Sequence, residues 1–141
     1  MQSRKWLMVA SGVLLAGGLS WLAKIAVIVG TDGRVMTTGP AALLMSAGLI
    51  LLGPGAAGLG AWLARRKHVV VRMLAAVAGV AALVACSVAL GMGAAALARG
   101  RGPAYWADEA GILAAGLLWS AVGAVALVRA RRAYVPAGSI G

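Results

Sequence analysis

Residues 73–98 read MLAAVAGVAALVACSVALGMGAAALA, which is 26 positions without a charged residue, a side-chain amide or a histidine. A bilayer core about 30 Å thick is crossed by about 20 apolar residues in a helix. This run is therefore long enough to span, with some tilt. Three more such runs accompany it. Residues 6–30 carry Lys24 as their only charge, and residues 40–64 and 110–128 carry none. All four are expected to be helices, because backbone exposed to lipid must satisfy its own hydrogen bonds. The strand alternative requires alternating segments of roughly ten residues, and the sequence contains none.

The bulk composition agrees. Of 141 residues, 62% are hydrophobic and 11% charged, against about 45–50% and about 25% in soluble domains. Mean hydropathy is +0.96. These values exclude an ordinary soluble globule and a disordered chain. A single cysteine excludes a disulfide-stapled module. The expected fold is an all-α membrane protein, with residues 1–141 forming a single transmembrane domain. Its four transmembrane helices, at about 6–30, 40–64, 73–98 and 110–128, form an up-down bundle, because short connections make consecutive spans antiparallel neighbours.

Charge sets the orientation. The net charge is +10, but the basic residues flank apolar runs, which is the pattern of a topology signal rather than of nucleic-acid binding. Arg4 and Lys5, then Arg65, Arg66, Lys67 and Arg72, then Arg129, Arg131 and Arg132 place nine positive charges on one side. The other side holds Lys24, Arg34, Arg99 and Arg101 together with all three acids, Asp32, Asp108 and Glu109, so the balance is +9 against +1. Positive charge stays inside, so both termini are expected in the cytoplasm. The expected location is the plasma (inner) membrane as a multi-pass protein. Ten Arg against three Lys, with abundant Ala and Gly, is the usage of a GC-rich, bacterial genome. The N-terminal run resembles a signal peptide in its basic start and apolar middle. It continues past Lys24, however, and Trp21 and Leu22 sit where a cleavage site needs small residues. It is expected to remain as span one.

The connections are expected at residues 31–39, 65–72 and 99–109, the last being the longest. Asp108 and Glu109 then open span four, where the helix dipole favours anions. Residues 53–60, GPGAAGLG, lack the Lys-Ser/Thr that follows a phosphate-binding loop. They are read as a transmembrane helix kinked at Pro54. Small residues recur four apart: Gly12/Ala16/Ser20, Ala56/Gly60, Ala78/Ala82, Gly91/Ala95, Gly111/Ala115 and Gly116/Ser120. Such stripes let helices approach closely in lipid. Trp21 and Trp119 are expected to fill the bundle or contact lipid, and Cys86 to pack as a small buried residue.

Lys24 is the candidate intramembrane charge. It shares a helical face with Gly17 and Ser20. The first reading is that its stem snorkels to the outer interface. The second is an ion pair with Glu109, Asp108 or Asp32, and the third is a role in binding an anion or a lipid head group. Arg65, Arg66, Lys67 and Arg72 form a candidate anionic-lipid loop. His68 has no second histidine, and Cys86 is distant, which is too few ligands for a metal. No cofactor is expected. Asp108 and Glu109 are adjacent, so on a helix they diverge by about 100° and cannot face each other as paired catalytic carboxylates.

The expected function is that of a small integral membrane protein, a structural or accessory subunit packing with other membrane helices. Its partners are then membrane lipids and another membrane protein or a second copy of itself. The alternative is a small oligomeric transporter or channel, with Lys24 serving an anion. Small multidrug transporters match in length and span number, but their pattern calls for a membrane-embedded Glu in span one, and this chain has none. An enzyme acting on lipid through Asp108, Glu109 and Lys24 is the least favoured reading, and the protein is not expected to be an enzyme.

Overall fold

Four helices follow one another through short connections: α1 (Gln2–Gly30), α2 (Gly39–Leu63), α3 (Val69–Ala98) and α4 (Tyr105–Arg132). The computed structural model describes residues 2–132; residue 1 and residues 133–141, which belong to the expected single domain, lie outside the described residues. All four helices are long and apolar enough to cross a membrane. At 25–30 residues each, they measure about 37–45 Å at 1.5 Å per residue, which exceeds the hydrocarbon thickness.

The helices run past the apolar segments at several ends. An apolar run marks where side chains tolerate lipid, whereas the backbone hydrogen-bond ladder continues regardless of side-chain polarity. Two expected connections are therefore shorter than the sequence implied. The loop placed at 99–109 is only 99–104, because α4 starts at Tyr105 and takes Asp108 and Glu109 into its first turns. The connection placed at 65–72 ends at His68, and Arg72 lies in the first turn of α3, its N–H donating to the His68 carbonyl at 3.1 Å. The α1–α2 turn closes through Asp32 and Gly33, both left-handed (φ 50° and 75°). Gly33 must be glycine for a second reason, since a Cβ there would meet the Tyr105 ring 2.6 Å away.

α1 packs between α2 and α4, and α3 contacts the same two helices. Along α1, the partners on α2 descend in number as α1 ascends. Ala10 lies against Gly58, Leu14 against Gly55, Gly17 against Leu52 and Trp21 against Gly48. The same reversal runs from Leu15–Gly123 to Leu22–Gly116 between α1 and α4. It also runs from Gly60–Ala75 to Ala56–Gly79 between α2 and α3.

Close approach explains the glycines. In lipid, helices gain little from burying apolar surface against one another, so association rests on van der Waals contact and interhelical hydrogen bonds. A Cβ on Gly55 would lie 2.8 Å from the Leu14 backbone, and one on Gly111 2.6 Å from Gly91 Cα. Gly48 leaves the space that the Trp21 indole occupies. The small-residue stripes divide accordingly. Ala56/Gly60, Gly111/Ala115 and Gly116/Ser120 are spent inside the bundle, whereas Ala16, Ala78 and Ala82 are exposed.

The interior is filled by Leu14, Trp21, Leu52, Ala56, Leu83, Ala115 and Trp119. Both tryptophans anchor their polar edge. Trp21 Nε1 donates to the Met45 carbonyl at 3.3 Å, and Trp119 Nε1 donates to Ser87 Oγ at 3.0 Å. Cys86 departs from expectation, since it is exposed rather than buried. Its neighbour Ser87 faces α4 to accept the Trp119 bond, and one residue along a helix is about 100° of rotation, which turns Cys86 outward. α2 is helical through Pro54, which sits on its exposed surface. α3 buries only Leu83.

Candidate functional site

Lys24 lies six residues before the end of α1, and Glu109 is the fifth residue of α4. Because α1 and α4 run past each other in opposite senses, these positions fall at the same end of the bundle. Lys24 Nζ donates to both carboxylate oxygens of Glu109, at 2.8 Å to Oε1 and 2.7 Å to Oε2. The side chains are 6% and 8% exposed. The stem of Lys24 therefore does not snorkel to the outer boundary, which was the first expectation. An acid two helical turns from the Gly116 contact intercepts it. An ammonium withdrawn from water requires a compensating charge, and a carboxylate within hydrogen-bond distance supplies it.

Of the three acids named for Lys24, the structure brings only Glu109 to it. Asp108 is exposed on α4, and Asp32 is exposed in the α1–α2 turn. The choice between Asp108 and Glu109 follows from helix geometry. Gly116 and Gly123 both face α1, and Glu109 lies seven residues before Gly116, on that same stripe. Asp108 is rotated off it. Gly17 and Ser20, which share a helical face with Lys24, look toward α2 instead. Gly17 meets Leu52, and Ser20 Oγ donates to the Leu44 carbonyl at 2.8 Å. Chemically, the pair is self-neutralising, because each side chain lies against its opposite charge. Three turns further along α4, Ser120 Oγ is buried without a hydrogen-bond partner among the described residues, pressed against Gly18.

Nine of the thirteen basic residues belong to the opposite end. Arg65 lies over the Trp62 ring with its guanidinium carbon 4.0 Å from the centroid, and its Nη1 donates to the Trp62 carbonyl at 3.3 Å. Arg65 and Arg72 stand at a groove of about 520 Å³ between α1, α2 and α3. Arg66 and Lys67 are exposed but do not line it. The expected four-residue basic loop therefore separates into two groove residues and two that lie outside the groove. The groove also takes Trp6 from α1 and Pro54 from α2. Pro54 is thus at a site boundary, which a kink motif alone does not reveal. A second cavity, about 460 Å³, lies between α1, α2 and α4, with Leu7, Leu59, Val122 and Arg129 among its lining residues. Neither cavity is lined by Lys24 or Glu109. The signal for both was present in the sequence as Trp and Arg near the same helix ends. Their convergence depends on helix rotation, which hydropathy does not carry.

This geometry defines an all-helical protein with four potential membrane spans, compatible with a small polytopic membrane protein. No protein-family model, curated protein or solved structure matches the chain.

Proposed function

We propose that the protein is a structural or accessory subunit of the plasma membrane, without enzymatic activity of its own. It is an up-down bundle with both termini cytoplasmic, and it docks another membrane helix on α3. The observation that carries this reading is the outward face of α3. Ala78, Ala82, Ala85, Ala89 and Gly93 are all exposed there, at steps of three or four residues. Val77 at 67% and Met92 at 72% exposure border them on one side, and Leu97 at 67% on the other. A stripe of small side chains between larger ones is the surface on which a second helix approaches closely in lipid. The partner is another membrane protein or a second copy of this chain. The packed interior and the pairing of Lys24 with Glu109 weigh against an anion path through one bundle.

Cys86 borders this stripe and is the only cysteine in the chain, so it serves as a native probe. Native mass spectrometry after gentle extraction should give a stoichiometric complex. Ala82→Leu should dissociate it while leaving the bundle folded. Lipid-soluble maleimide should label Cys86 more slowly in native membranes than in dispersed monomer. Equal labelling rates and a lone monomer would show that α3 faces only lipid. A homo-oligomer that passes anions in liposomes, with flux lost in Lys24→Ala, would favour the transporter instead.

A further inference from the structure

We propose that the groove between α1, α2 and α3 is a binding site for one anionic phospholipid, with its phosphate held by Arg65 and Arg72 and an acyl chain along the groove floor. The proposal rests on the reading that the four helices span a membrane with this end at the interface.

Charge complementarity identifies the occupant. Arg65 and Arg72 stand at the mouth, while all three acidic side chains of the sequence, Asp32, Asp108 and Glu109, belong to the opposite end. Among the described residues the sole ion pair is Lys24–Glu109, and neither guanidinium has a carboxylate partner among them. Arg65 is also held in place by stacking on Trp62 and by its bond to the Trp62 carbonyl. A guanidinium already positioned loses less freedom on binding a phosphate, which its fork of donors matches in shape. Trp6 and Trp62 flank the mouth, as aromatic side chains do at a head-group boundary.

Below the mouth the groove becomes apolar. Val9 and Val13 form one wall, Ala76 another, and Ala57, Gly58 and Ala61 leave the floor low. It ends at Pro54, eleven positions from Arg65. That is about 16 Å of helix at 1.5 Å per residue, and half of a core about 30 Å thick is about 15 Å. The groove thus has the depth of one leaflet. A free phosphate would use only its mouth, whereas a phospholipid would use all of it.

The test compares full-length protein variants in vesicles of equimolar phosphatidylglycerol and phosphatidylcholine, followed by extraction and native mass spectrometry of retained lipid. Arg65→Ala/Arg72→Ala should lower the preference for phosphatidylglycerol by about tenfold or more. Arg66→Ala/Lys67→Ala removes the same charge away from the groove and should lower it markedly less than the groove pair does. Ala57→Phe keeps every charge but fills the floor, and should also lose the bound lipid. Equal loss in the two charge variants, or full retention in Ala57→Phe, would overturn the proposal in favour of diffuse attraction. Displacement by inorganic phosphate at equal concentration would overturn it in favour of a simple anion site. Release of the wild-type protein from vesicles by an alkaline wash would instead overturn the membrane-spanning reading on which it rests.

Discussion

Lys24 shows how a single buried charge is resolved at the residue scale. Its pairing with Glu109 is weak grounds for high stability, because desolvating two ions offsets most of their attraction. Removing one partner is a different matter. Lys24→Ala or Glu109→Ala alone leaves the other charge buried and unpaired, at a cost of about 3–5 kcal/mol. The double variant should cost less than the sum of the two, with a coupling above about 1 kcal/mol. A double-mutant cycle on unfolding in detergent measures this, and simple additivity would mean that the two charges do not interact. From sequence, Lys24 was legible as the one charge inside a span, and Glu109 as one of three candidates. The pairing itself was not legible, because snorkelling and pairing use the same flexible stem. What decides between them is where α4 places its second turn.

At the scale of the element, the small residues do two jobs that the sequence alone does not separate. Gly111 and Gly91 bring α4 and α3 into backbone contact. Gly111→Leu should therefore destabilise the bundle by about 1–3 kcal/mol, as overpacking does, or part the two helices. Gly93, on the same α3, has nothing within 4 Å of an added Cβ. Gly93→Ala should be neutral or favourable by up to about 1 kcal/mol, the helix-propensity difference. Thermal unfolding in one detergent compares the two, and equal losses would contradict the packing described for α3. Cys86 carries the same lesson. It sits in a run of uniformly apolar and small residues, which has no amphipathic contrast to say which side faces in. Ser87, not Cys86, takes the inward position because the Trp119 N–H needs an acceptor.

For the whole molecule, the asymmetry of charge is the leading feature. One end carries Arg4, Lys5, Arg65, Arg66, Lys67 and Arg72 together with the α4 terminus, while all the acids belong to the other end. The positive-inside bias therefore gives a definite expectation for sidedness. In a Cys86→Ser background, a membrane-impermeant thiol reagent added outside intact cells should label Arg34→Cys and leave Lys67→Cys untouched. The reverse pattern would invert the topology and place the lipid groove in the outer leaflet.

Hydropathy and charge counts by themselves determined the number of helices, their approximate bounds and the two chemically distinct ends. These follow from solvation, since a long uncharged run has a low-energy place only in an apolar medium and its backbone must bond to itself there. Tertiary structure alone decided that Glu109 rather than Asp108 meets Lys24 and that α3 keeps an open face. It also decided that Arg65 and Arg72, but not Arg66 and Lys67, stand over a groove. Each of these depends on the rotation of one helix against another, and in a sequence apolar on every side that rotation is set by contacts between helices rather than by any pattern along one of them.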